Sequence, residues 1–165
     1  MSTPLVLPMS AEYVEAFHAA LDVVARERSF LTLLEAPPLE ATRAFVLAGM
    51  AANNPAFLAV SEGAVVGWCD IRRDSFPAHA HRGSVGMGIL PKFRGQGLGK
   101  RLIKATLEAA WDCGLTRVEL SVHSDNKVAM ALYEKVGFVR EGVCRNAFLA
   151  DGIYRDSVLM AILRR

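Results

Sequence analysis

Residues 85 to 100 read Val-Gly-Met-Gly-Ile-Leu-Pro-Lys-Phe-Arg-Gly-Gln-Gly-Leu-Gly-Lys. Few local structures accommodate such a run. Its first part alternates: Val85, Met87 and Ile89 fall on one side of a strand, and Ser84, Gly86 and Gly88 on the other. One face is therefore packed and the other nearly bare. Glycine weakens a strand, so its presence marks a bulge or the close approach of another group. A turn with Gly95, Gly97 and Gly99 follows, entered by Pro91 and Arg94, and a helical pattern then runs from Leu98 to Cys113. A strand, a glycine turn and a helix start together bind anions. The first-turn amides have no intrahelical partner, and the helix dipole favours negative charge there. Arg94 and Lys100 add positive charge beside those amides.

Two common phosphate motifs fail on these residues. GxGxxG needs a third glycine where Lys100 stands. The P-loop needs a hydroxyl after Gly99-Lys100, where Arg101 stands, and a glycine where Arg94 stands. What fits is Arg94-Gly95-Gln96-Gly97-Leu98-Gly99, which resembles the Arg-x-x-Gly-x-Gly pyrophosphate loop of the GNAT superfamily of acyl-CoA-dependent N-acetyltransferases.

The totals bound the alternatives. The 165 residues suit one domain, 1–165, with a sizeable core. A net charge of +2 is too small to argue for a nucleic-acid partner. No run of about 18 apolar residues predicts a membrane span, and the first residues lack the basic and apolar regions of a signal peptide. The expected location is the cytoplasm. Cys69, Cys113 and Cys144 are odd in number and widely spaced, and the four histidines form no HExxH pattern. No disulfide framework and no metal site are expected.

Along the chain, Leu5 to Met9 reads as an edge strand, since Pro8 is tolerated there. Ser10 is a candidate N-cap for a helix to about Arg28, with Tyr13, Val14, Phe17, Leu21 and Val24 at helical spacing. Residues 29–40 form a connection rich in apolar side chains, a pattern that lines pockets or interfaces. A second helix runs from about Leu39 to Asn53. Strands at 56–60 and 64–72 make a hairpin through Ser61-Glu62-Gly63. Residues 73–83 form a polar connection to the glycine-bearing strand. After the helix from Leu98, Gly114 is a natural stop and residues 116–122 alternate as a half-buried strand. Asp125 or Asn126 caps a last helix through Val136. Strands at 138–150 and 153–163 close the chain through the turn Asp151-Gly152. The order β-α-α-β-β-β-α-β-α-β-β predicts an α/β fold. Its central sheet has about seven strands, mixed but largely antiparallel, with helices on both faces. That order matches the GNAT fold.

A second stretch, His123-Ser124-Asp125-Asn126 through Leu132-Tyr133-Glu134-Lys135-Val136-Gly137-Phe138, resembles the other hallmark of the same superfamily. The tail, Phe138 to Gly142 and then Asp151 to Asp156, is similar to the branch with ribosomal-protein N-terminal and small-amine acetyltransferases. The resemblance implies acetyl-CoA as the donor and direct attack of a primary amine on the thioester. A backbone N–H near Gly88 to Leu90 would meet the oxyanion. A bulge there would splay this strand from residues 116–122 and leave a slot for the pantetheine arm, which would pair with Ile89. The diphosphate would rest on the amides of Gln96 to Lys100, and Asn126 would hydrogen-bond the arm. Tyr133, protonated at neutral pH, would give its proton to the thiolate.

The base is less evident. Many relatives carry an acid where this chain has Ser84, so Glu119 on the polar face of the next strand is the first candidate. His79, His81 and His123 come after it, and a water chain without a single base is an equal alternative. Arg72, Arg73, Arg82 and Arg145 would draw a carboxylate-bearing acceptor. A peptide N-terminus, a polyamine-like amine and an aminoglycoside stay open. The family analogy also implies a homodimer through the closing strands. A competing reading is an acyl-CoA-binding sensor or pseudo-enzyme that works as an interaction module, for which a retained thiolate acid would be superfluous.

Overall fold

A computed structural model describes residues 2–165. Seven strands form one sheet: β1 (Leu5–Pro8), β2 (Ala56–Ser61), β3 (Ala64–Arg73), β4 (Arg82–Ile89), β5 (Arg117–His123), β6 (Val139–Ala150) and β7 (Ile153–Leu163). Their order is β1-β2-β3-β4-β5-β7-β6. Every neighbouring pair is antiparallel except β4 and β5. Proline-bearing β1 sits at one edge, where a missing N–H is harmless. The helices are α1 (Val14–Arg26), α2 (Leu39–Ala51), α3 (Leu98–Asp112) and α4 (Lys127–Val136).

The helices cover both faces because the strands bury side chains on both. Leu102, Ile103 and Leu107 of α3 and Met130 of α4 pack with Cys69, Ile71, Val118, Leu120 and Met160. Val14, Phe17, Leu21 and Val24 of α1 and Val46 of α2 pack with Leu58, Val65 and Trp68 on the opposite face. Burying each of these large side chains contributes about 1.5–3 kcal/mol before entropy is counted. The Asp151-Gly152 turn has positive φ at both residues (53° and 75°), the backbone of a tight hairpin turn.

Two local expectations are corrected. Ser10 makes no side-chain cap: its hydroxyl meets Glu12 Oε1 at 3.3 Å, and the chain enters α1 through a 3₁₀ turn at Ala11–Tyr13. The splay of β4 from β5 is present, but it needs no bulge against β3. The β3–β4 register runs unbroken from Arg73–Gly83 to Gly67–Ile89. On β4 only residues 82–84 pair with β5, so the two strands separate beyond Ser84.

Candidate active site

The split sheet sets the geometry. In an antiparallel ladder the backbone groups of successive residues point to opposite sides. Leu90 donates its N–H to Val66 O at 2.9 Å, and Asp74 donates to Arg82 O at 3.1 Å. Even-numbered residues of β4 therefore bond to β3. The N–H groups of Met87 and Ile89 face the opening toward β5, whereas that of Leu90 is already engaged.

The glycine turn lies at the open end of this split. Gly95 and Gly97 have φ of 73° and 79°, conformations that L side chains rarely adopt, and the space where a side chain would begin is open at both. Gly97 is the N-cap of α3 and offers no side-chain acceptor. Arg101 is the first residue to bond back, to Gly97 O at 3.3 Å. The amides of Leu98, Gly99 and Lys100 are thus left for an anion, and Lys100 is exposed beside them. Gly99 has a separate reason to be glycine: a Cβ there would stand 2.9 Å from Leu132 Cδ2 and 3.2 Å from Met87 Cε. Gln96 turns back to donate to Lys92 O at 2.9 Å.

Arg94 is not a free phosphate ligand. Its Nε donates to Ile89 O at 2.8 Å, and its two terminal nitrogens donate to Glu27 at 2.9 and 2.5 Å. Phe30 lies under the guanidinium, 4.7 Å from ring centre to Cζ. A guanidinium has five N–H donors, so two remain for a ligand.

Across the split, Tyr133 on α4 reaches β4. Its hydroxyl is 3.9 Å from Met87 Sδ, and its ring packs on Phe138 at 5.6 Å. Burial pushes the phenol well above its ordinary pKa, which keeps it a proton donor. Asn126 caps α4 by accepting from Ala129 N at 3.2 Å, leaving its amide nitrogen free of that role.

The candidate bases separate. Glu119 pairs with Ser84 at the closed end of the split and is held by Arg117 Nε at 3.0 Å; Arg117 also grips Glu141. His79 sits on Asp74 at 3.4 Å, and His81 is exposed; both precede or adjoin the start of β4, far along it from Met87. His123 is buried against Phe148, with ring centres 4.5 Å apart. Its Nδ1 has no partner among the described residues, and desolvation lowers its pKa. Of the four arginines, Arg73 donates to Cys113 O and Arg82 pairs with Asp74. Arg145 is exposed on β6, and Arg72 is exposed beside β4 and over the Phe45 ring at 5.8 Å.

Two residues escaped the sequence reading. One is Glu27, the partner of Arg94. The other is Asp70, which lies opposite Gly86 in the β3–β4 register. A Cβ on Gly86 would be 3.2 Å from both Asp70 carboxylate oxygens, and one on Gly88 would be 2.3 Å from Trp68 Cη2. The bare glycine face of β4 is thus covered by side chains from β3.

The profile of the acetyltransferase (GNAT) family matches residues 21–138, which hold every element of this site up to Phe138. The chain belongs to the GNAT family. It is 36% identical over 96 residues to an N-alpha-acetyltransferase of Mycobacterium tuberculosis, covering 56% of each chain. It is 30% identical over 106 residues to an L-amino acid N-acetyltransferase of Escherichia coli, covering 63% of this chain and 65% of that one. A mycothiol acetyltransferase of Paenarthrobacter aurescens is 41% identical over 82 residues, 48% of this chain and 25% of its own length. The matches thus span less than two thirds of these curated relatives. A GNAT-family acetyltransferase from Streptococcus pneumoniae superposes with a TM-score of 0.90 at 27% identity, over 98% of this chain and 99% of its own. The yncA protein of Salmonella typhimurium, solved with its cofactor acetyl-CoA, shares the GNAT fold at TM-score 0.92 and 16% identity, over 98% and 94%. Among the described residues, no helix is long and apolar enough to cross a membrane.

Proposed function

We propose that residues 1–165 are one catalytic domain that transfers an acetyl group from acetyl-CoA to a primary amine. The observation that carries this reading is the split beyond Ser84, flanked by the free amides of α3 and by the Tyr133 hydroxyl at Met87. The open space at Gly95 and Gly97 and the unpaired first-turn amides fit a diphosphate. When bound there, acetyl-CoA supplies the thioester. Leu98, Gly99 and Lys100 amides hold its diphosphate, with Lys100 and the two spare Arg94 N–H groups alongside. Ile89 N–H pairs with the arm, which Asn126 contacts from the other side, and Met87 N–H is placed for the oxyanion. Tyr133 gives its proton to the departing sulfur.

The acceptor comes from the side of the sheet covered by α1 and α2. Arg72, exposed there without an ion-pair partner among the described residues, favours an amine that also bears a carboxylate. A relative named for L-amino acid acetylation supports that class, and one named for N-alpha acetylation keeps a peptide N-terminus in the panel. A cytoplasmic location and a homodimer joined through β6 and β7 belong to the same reading. The test is acetyl-CoA-dependent thiol release against amino acids, peptides, polyamines and aminoglycosides, with thermal shift by acetyl-CoA alongside. Stabilisation and release with one amine class are expected. Stabilisation without release from any amine would turn the reading toward an acyl-CoA sensor, and no stabilisation at saturating acetyl-CoA would overturn it.

A further inference from the structure

Asp70 lies where the mechanism still lacks a group. The residue is on β3, yet its carboxylate lies over β4, because Gly86 opposite leaves that space empty. Gly86 directly precedes Met87, whose N–H faces the split and whose sulfur meets Tyr133. Tyr133 and the Met87 side chain belong to the α3–α4 face, together with Val85 and Ile89. Asp70 shares its face with Trp68, which packs with α1 and α2, because alternate residues of a strand share a face. Acid and carboxylate therefore flank the same point of β4 from opposite sides of the sheet. An amine entering on the Arg72 side meets the carboxylate, and the sulfur leaves toward the phenol.

We propose that Asp70 is the general base of the transfer, an inference that rests on the acetyltransferase reading. It takes one proton from the bound ammonium and passes it to solvent. The freed nitrogen lone pair forms the C–N bond at the acetyl carbon while the C–S bond breaks and its electron pair stays on sulfur. Tyr133 protonates that sulfur, and the second proton lost by the nitrogen restores the phenol. One acetylated amine, one free thiol and one released proton result.

The surroundings of Asp70 suit the role. Among the described residues its carboxylate has no hydrogen bond or ion pair, so nothing must be broken before it accepts a proton. It keeps some solvent contact although packed among many atoms. Desolvation raises its pKa to about 7, with the charge of Arg72 pulling it back down. A base poised near the working pH is the efficient choice. On β4 stand Ser84, Gly86 and Gly88; α1 and α2 turn inward Phe17, Leu21, Val46 and the neutral Thr42. On β5, Glu119 is neutralised by Arg117.

The experiment compares the wild type with Asp70→Asn, and with Gly86→Ala, whose added methyl would displace the carboxylate without removing it. Each protein is titrated by carboxyl carbon NMR without acetyl-CoA, checked for thermal stabilisation by acetyl-CoA, and assayed for kcat/KM against pH. The expected wild type shows one carboxyl titrating near 7 and an acidic limb in kcat/KM at the same pH. Asp70→Asn loses both, with kcat/KM at pH 7 down at least about a hundredfold and acetyl-CoA stabilisation retained. Gly86→Ala shifts both together. A wild type that turns over, with Asp70→Asn keeping its acidic limb, would overturn the assignment and leave the acetyltransferase reading standing. A wild type that neither binds acetyl-CoA nor turns over would overturn the reading itself.

Discussion

Arg94 clasps Glu27 through both terminal nitrogens while its Nε holds Ile89 O. One side chain thus ties the end of α1 and the apolar loop after it to the end of β4 and the glycine turn. The pair is partly exposed, at 34% and 26% of the two side chains, so its effect on stability is small, about 1 kcal/mol or less. Its larger effect is on the shape of the turn. Arg94→Lys keeps a charge but cannot form the fork. It is expected to weaken acetyl-CoA binding roughly tenfold, about 1.4 kcal/mol, with little change in melting temperature. Glu27→Gln should weaken it less. Calorimetric titration decides: wild-type affinity in Arg94→Lys would show that the clasp has no part in binding.

Among the described residues, the Tyr133 hydroxyl has no strong partner, only Met87 Sδ at 3.9 Å. Removing it therefore leaves little unsatisfied in the folded protein. Tyr133→Phe should fold and bind acetyl-CoA as the wild type does, with kcat lowered by about a hundredfold or more. Unchanged turnover would remove Tyr133 from the mechanism.

The central stretch was legible because its signals are local. Alternation, a glycine turn and an amphipathic run each report on a few neighbouring residues, and the order of elements along the chain follows from them. What stayed hidden depends on register. Asp70 between Cys69 and Ile71 reads as an ordinary polar-face residue; only its pairing with Gly86 carries it over β4. Glu27 could not be joined to Arg94 without knowing that the end of α1 folds over the turn. The bare side of β4 read as a bulge or a close approach, and Trp68 and Asp70 from the neighbouring β3 make it the second. Glu119 stood out by its spacing, yet Arg117 two residues away on the same face engages it.

Gly88 tests that account. A Cβ there would fall 2.3 Å from Trp68 Cη2, and the indole is itself buried edge-on against Phe17, 5.5 Å between ring centres. Gly88→Ala should destabilise by about 1–3 kcal/mol, the usual cost of overpacking. Trp68→Leu is costly alone but removes the clash, so the double variant should lose less than the sum of the two. Urea unfolding of all four proteins measures the coupling; strict additivity would mean that the indole does not rest on Gly88.

Burial of Asp70 also couples folding to pH. Its carboxyl titrates near 3.8 when unfolded and at about 7 when folded. Between those values the folded chain holds a proton that the unfolded chain has lost. Asp70's contribution to the unfolding free energy then falls as pH rises from about 4 to about 7 and levels off above. Asp70→Asn carries no such proton. Its stability relative to the wild type should climb through that window by at most about 4 kcal/mol, since each pKa unit is worth about 1.36 kcal/mol. Arg72→Gln removes the neighbouring positive charge and should extend the climb to higher pH. Urea titrations from pH 4.5 to 8.5 measure the difference. Parallel curves for wild type and Asp70→Asn would mean that the carboxyl titrates like an exposed aspartate, and a base already ionised at pH 5 would have little proton affinity to offer the ammonium.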